Sequence, residues 1–279
     1  MNHLEKINDF FQTEPLKAKG KALSEKYRTA QPFPHIVIDD FFPPEILDEV
    51  LEAVESPDSR WHHFDNDREI KRQLCDDTKM DPRIQIFLYK LNSPPMLDFL
   101  ESLTGITGLV SDPFLAGGGV HQLPPGGFLK IHADFNFHNR LKLDRRINVL
   151  VYLNKNWREE YAGHLQLWDE PMEKCVQNVL PVFNRMVVFN TTSTSWHGNP
   201  EPLKCPEGWS RKSVAMYYYT NGRPDEERHD SHGTLFRRTP GDAFAEGELQ
   251  APRSMGVKAI LKSLTPPIVL EAGKRVLGR

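Results

Sequence analysis

Cysteine is scarce in this chain. Cys75, Cys175 and Cys205 are widely spaced and odd in number, which excludes the disulfide framework of a small secreted scaffold and points to reduced thiols. Long hydrophobic runs are missing too. No stretch approaches the roughly eighteen apolar residues of a membrane span, and the opening Met1-Asn-His-Leu-Glu-Lys-Ile-Asn-Asp has no apolar signal region. The expectation is a cytoplasmic protein with no membrane span. Neither sign of charge dominates, since 35 Lys and Arg face 38 Asp and Glu for a net charge of −3. That balance disfavours nucleic acid as a partner, because its binders usually carry a basic domain or stripe. No internal repeat of solenoid period is present.

What is present is enough apolar sequence for one sizeable core, with 39% hydrophobic residues in 279. The first half reads as helical support. Phe42-Pro-Pro-Glu-Ile opens on prolines suited to a first helical turn, and Ile46, Leu47, Val50, Leu51 and Val54 form an apolar stripe. Ser93-Pro-Pro-Met-Leu repeats that signal, and Pro34-His-Ile-Val-Ile-Asp-Asp reads as a short strand. From Gly117 to Thr220, strand-like runs alternate with turn residues such as Pro124-Pro-Gly-Gly127. That spacing predicts a mainly β fold with flanking helices, as a sandwich or barrel.

Chemistry concentrates in the β half. In Gly127-Phe-Leu-Lys-Ile-His-Ala-Asp-Phe, strand alternation places His132 and Asp134 on one face. His197, 65 residues on (197 − 132), follows the strand-like run Arg185-Met-Val-Val-Phe-Asn and is close enough to a neighbouring strand to join them. Two neutral imidazoles and one carboxylate suit a non-haem iron(II) with open positions. Taken by itself, a His-x-Asp pair is common and need not hold a metal. Arg211 and Ser213 open another strand-like run, Val214-Ala-Met-Tyr-Tyr-Tyr-Thr220, and share a face there. A strand Arg with a neighbouring hydroxyl suits either a carboxylate anchor or an exposed edge with a surface partner.

In their order along the chain, His132-x-Asp134, Tyr152-Leu-Asn-Lys-Asn-Trp157, Gly163-His-Leu-Gln-Leu-Trp168, His197-Gly and Arg211-x-Ser213 resemble the iron(II)- and 2-oxoglutarate-dependent oxygenase superfamily, in its prolyl-hydroxylase-like branch. The resemblance covers residues 32–222. It implies a double-stranded β-helix, the cupin-like jelly roll, with Fe(II), 2-oxoglutarate and O2 as cofactor and cosubstrates. It also implies that His132, Asp134 and His197 are catalytic as iron ligands, and that Arg211, with Ser213 and Tyr152, binds the far carboxylate of 2-oxoglutarate. Asn148, four residues before Tyr152 on the same strand face, joins the expected cosubstrate contacts. The implied reaction couples oxidative decarboxylation of 2-oxoglutarate to hydroxylation of an unactivated C–H bond.

The chain departs from the family pattern at two points. Leu123 stands nine residues before His132 (132 − 123), where many relatives have tyrosine, and the usual Gly-Gly reads Ala162-Gly163. The implied substrate is a small molecule or a peptide. Phe135-Asn-Phe-His-Asn-Arg140 is placed to line its entry, while Trp168, Trp196 and His164 have plainer readings as core or surface. Residues 1–222 are expected to form the oxygenase domain with its supporting helices. Residues 223–279 are expected to form an extension that packs on the core or on a partner, such as a second copy of the chain or a surface. His229 and His232 complete no metal set and read as a solvated loop. Two other readings fit the same motifs: a jelly-roll binding protein without catalysis, and a zinc hydrolase using the same three ligands. A hydrolase has no need of Arg211, Ser213 and Tyr152 together.

Overall fold

Helices at the front of the chain begin where the sequence supplies caps and prolines. The computed structural model describes residues 2–55 and 61–240. The helices are α1 (His3–Phe10), α2 (Thr13–Arg28), α3 (Pro44–Val54), α4 (Pro82–Leu91) and α5 (Pro94–Thr104). The Asn2 side chain accepts the backbone N–H of Glu5, and Glu5 reciprocates, forming a capping box on α1. Prolines occupy the first turn of α3, α4 and α5, where a missing N–H costs nothing. Gly105, at φ 78°, ends α5 in a left-handed turn.

The strands are β1 (His35–Ile38), β2 (His62–Asp65), β3 (Glu69–Leu74), β4 (Val110–Ser111), β5 (Gly119–Leu123), β6 (Phe128–Ala133), β7 (Phe137–His138), β8 (Leu143–Tyr152), β9 (Leu165–Trp168), β10 (Cys175–Val179), β11 (Met186–Asn190), β12 (His197–Asn199), β13 (Arg211–Thr220) and β14 (Leu235–Phe236). All their pairings are antiparallel. The hydrogen-bonded path runs β1-β11-β8-β13-β5-β3-β6-β12-β9-β10. This is the jelly roll with flanking helices that the sequence predicts. The hairpin β2–β3 is an addition, since 62–74 lies in the stretch read as helical support.

Alternation along β8 sets the two layers. Ile147, Val149 and Val151 point outward into a core shared with Ile46, Leu47, Phe87, Leu88 and Phe99 of the helices. Leu150 and Tyr152 point inward, toward Leu165, Leu167 and Phe189 between the sheets. The strand period of two thus gives β8 one face for holding the helices and one for building a cavity. Among the described residues no helix is long and apolar enough to cross a membrane.

Of the C-terminal extension, residues 223–240 pack on the sheet. β14 pairs with β6 and sets Phe236 opposite His132, and the Asn136 side chain bonds the backbone of Asp230 and His232. The rest of that expected extension, residues 241–279, lies outside the described residues.

Candidate active site

The cavity lies between the sheets and has a volume of about 300 Å³. Pairing of β12 with β6 sets His197 directly opposite His132, with ring centroids 4.4 Å apart. Gly198 permits this approach, because a Cβ there would stand 2.8 Å from the carbonyl oxygens of Leu129 and Lys130. Asp134 follows β6 immediately. His132 Nε2 lies 3.6 Å from Asp134 Oδ1, and His197 Nε2 lies 3.3 Å from Oδ2. One ligand atom from each residue falls within a 4.8 Å cluster, the one such His, Cys, Asp or Glu group among the described residues.

The surrounding hydrogen bonds prepare these three residues for a cation. Each ring presents Nδ1 to a carbonyl, His132 to Lys130 O and His197 to Ser195 O, both at 2.8 Å. A carbonyl only accepts, so Nδ1 carries the proton and each Nε2 keeps its lone pair for the cavity. Burial, with His197 alongside, pushes the His132 pKa down and keeps the ring neutral. Burial opposes ionisation of Asp134, but the Arg145 guanidinium together with the contacts from His197 and His132 outweighs it and holds the carboxyl well below the usual carboxylate range. The donor set fits a divalent metal with imidazole and carboxylate preferences.

Arg145 has no counterpart in the sequence reading. It is fully buried and lines the cavity. Its Nη2 donates to Asp134 Oδ2 at 2.8 Å, and Nε and Nη2 both donate to Asn148 Oδ1 at 3.0 and 2.8 Å. The guanidinium lies between the rings of Phe135 and Tyr217, 4.5 and 3.5 Å from their centroids. Asn148 Nδ2 completes the set by donating to Asp134 Oδ2 at 2.7 Å. Asn148 therefore uses both polar ends inside the protein. The Arg145 Nη1 has no partner among the described residues.

Arg211 and Ser213 line the same cavity from β13. Arg211 Nε donates to Gly163 O at 2.7 Å and Nη2 to the Tyr152 hydroxyl at 3.3 Å. No carboxylate among the described residues pairs with this guanidinium, although it is only 4% exposed. Burial lowers its pKa, with Tyr152 acting in the opposite sense. Tyr152 is fully buried and meets the cavity through Arg211 rather than lining it. Leu123, in register with Arg211, presents an apolar wall where relatives of the resembled family have tyrosine.

Phe135 lines the cavity, but Trp168 and Trp196 pack behind β6 against Ile131 and Ala133. His164 bonds Glu159 at 2.8 Å. His232 is held by Ser193 Oγ and Gly233 O at 2.8 and 2.7 Å, whereas His229 is exposed. Neither joins a metal cluster among the described residues. The sequence reading also passed over His121, which lines the cavity from β5. Burial and the charge of Lys71 push its pKa down to about 3, so it stands as a neutral wall. The hairpin β2–β3 adds Phe64, Lys71 and Gln73.

Residues 118–219 match the family model for the 2OG-Fe(II) oxygenase superfamily. An 80-residue stretch, 27% of the chain, is 31% identical to the prolyl 3-hydroxylase OGFOD1 of Mus musculus, of which it spans 14%. The fold is similar to that of a Pseudomonas putida prolyl-4-hydroxylase, with a TM-score of 0.54, 18% identity and coverage of 73% of this chain and all of that one. A Trichoplax adhaerens prolyl hydroxylase, solved with a peptide fragment of hypoxia inducible factor, is similar at a TM-score of 0.51 and 18% identity, over 74% of this chain and 91% of that one. The epimerase SnoN from nogalamycin biosynthesis shares the fold at a TM-score of 0.50 and 12% identity, over 84% and 95% of the two chains. Over residues 118–219 the chain thus matches the 2OG-Fe(II) oxygenase superfamily, and its jelly roll is similar in fold to those of prolyl hydroxylases.

Proposed function

We propose that this chain is a hydroxylase that uses iron(II), 2-oxoglutarate and O2, with His132, Asp134 and His197 holding the metal. The observation that carries the reading is the pairing, in one cavity, of that donor cluster with Arg211, a buried guanidinium that no carboxylate neutralises among the described residues. A buried cation without a counter-ion is costly, and the far carboxylate of 2-oxoglutarate relieves that cost. Ser213 stands beside it as a second hydrogen-bonding group. Tyr152 and Gly163 O keep the guanidinium in place. Asn148, which lines the cavity, acts with Arg145 to orient Asp134.

Iron held by His132, Asp134 and His197 would, with O2, supply the oxidising power to take 2-oxoglutarate to succinate and carbon dioxide and to place one oxygen atom in a substrate C–H bond. The protein provides orientation. Arg145 and Asn148 fix Oδ2 of Asp134, the two Nδ1–H bonds aim the imidazoles, and Leu150, Leu165 and Phe189 keep the floor of the cavity apolar. The similarity to prolyl hydroxylases, one solved with a peptide fragment, supports a peptidyl substrate over a free small molecule. The shared fold of SnoN shows that the scaffold alone does not choose.

The test is succinate formation by anaerobically purified protein given iron(II), 2-oxoglutarate and then oxygen. Wild type should form succinate and, before oxygen, show the charge-transfer absorption of iron with bound 2-oxoglutarate; Asp134→Ala should show neither. A wild-type protein lacking both signals is not this oxygenase.

A further inference from the structure

Beyond Phe135 the cavity meets a second depression of about 510 Å³, which shares that ring as a wall. Phe114, Phe137 and Arg140 line it, with His232 and Gly233 on the far side. Phe114 is 38% exposed, unusual for a large apolar ring in this chain. The guanidinium of Arg140 lies 3.5 Å from the centroid of that ring, so it is stacked in place while its hydrogen-bonding edge stays free. Its partners are what matter. Among the described residues no carboxylate pairs with Arg140, and none lines the depression. Asp112, the nearest carboxylate in sequence to Phe114, is buried and accepts the backbone N–H groups of Phe114 and Ala116. Across the cavity, by contrast, Lys71 is neutralised by Glu69 at 2.8 Å.

We infer that this depression is a second substrate subsite that receives an acidic side chain of an extended peptide whose reacting residue lies in the metal cavity. The inference rests on the hydroxylase reading for the position of the reacting residue, but the subsite itself binds without turnover. Three features favour a chain over a compact small molecule. The depression and the reaction cavity lie on either side of the shared Phe135 ring, and the cavity must also hold 2-oxoglutarate, so a ligand reaching both is elongated. Its walls are aromatic faces, suited to a chain lying across them. Its lining also carries Asn139 and Ser231, polar side chains suited to pairing with a peptide backbone. His232 adds shape rather than charge. Its Nδ1 proton goes to Gly233 O, Nε2 accepts from Ser193, and burial lowers its pKa.

The test is selection of a short randomised peptide library on full-length protein loaded with Ni(II) and 2-oxoglutarate. Wild type should enrich Asp or Glu at a fixed position by about fivefold over input, the amount one partly exposed ion pair supplies. Arg140→Glu should abolish that preference or reverse it toward Lys and Arg, and Arg140→Lys should keep most of it. His132→Ala, which would stop turnover, should leave the preference intact, separating this inference from the hydroxylase reading. Equal enrichment of acidic and basic residues, or a preference indifferent to Arg140→Glu, overturns it. Displacement of the selected peptides by inorganic phosphate but not by free glutamate also overturns it, because the subsite would then take a phosphoryl group.

Discussion

The two faces of β8 are made of the same strand and obey different physics. Outward, Ile147, Val149 and Val151 join an apolar core shared with the helices, where any well-packed set of similar volume would serve. Inward, Arg145 and Asn148 sit in a closed set of charge-assisted bonds around Asp134, where removing one member strands the others. The outer face contributes stability, and the inner face geometry. The largest expected effect tests that division on the outer side. Ile147→Ala should cost about 2–5 kcal/mol of unfolding free energy by leaving a cavity under the helices, measured by urea denaturation. Metal affinity and turnover per folded molecule should stay at the wild-type level, and a comparable loss in either would break the division.

The opposite substitution lies two residues earlier. Arg145→Met keeps bulk between Phe135 and Tyr217 but removes the cation from Asp134. Metal affinity should fall roughly 10- to 100-fold, the usual effect of deleting a group that orients a ligand. Anaerobic titration with Fe(II) or Co(II) checks it. An unchanged affinity would make Arg145 a packing residue like Ile147, and the two faces would no longer differ in kind.

Arg145 also shows where the sequence stops being legible. His132, Asp134, His197, Arg211 and Ser213 could be picked out because each stands in a short motif on or beside a strand, and the structure brings all five to one cavity. Counting back by twos from Tyr152 gives Leu150, Asn148 and then Arg146 as the inward residue. The register between β13 and β8 slips by one residue between Tyr218 and Tyr219, so Arg145 faces in while Arg146 bonds Thr220 and Glu227. An irregular register cannot be read from alternation. The adjacent Arg145-Arg146 pair inside an apolar strand was the available signal. The hairpin β2–β3 was missed for a related reason. Its residues are mixed in burial, with an exposed His62, His63 and Asp65, so no clean period of two marks it. Helices α3 and α5 were legible from their paired prolines and apolar residues, because those signals are local, whereas α1, α2 and α4 were not singled out.

The smallest expected effect contrasts two alanines. Ala162 has φ 57° and ψ −147°, a region that L residues avoid and that costs on the order of 1–3 kcal/mol. It stands where the resembled family has glycine, and the next residue, Gly163, supplies the carbonyl that holds Arg211. Gly163 is itself constrained, since a Cβ there would stand 2.5 Å from Leu203. Ala53, equally buried, lies inside α3 in relaxed helical geometry. Ala53→Gly should destabilise by about 1–2 kcal/mol, from the helical cost of glycine plus a lost buried methyl. Ala162→Gly loses a similar methyl and the same chain entropy but releases the strain, so it should be neutral or stabilising by about 0.5 kcal/mol. The pair is read by thermal or urea unfolding side by side. Equal destabilisation would mean that the turn before Gly163 carries no strain, and that the carbonyl holding Arg211 is positioned by packing alone.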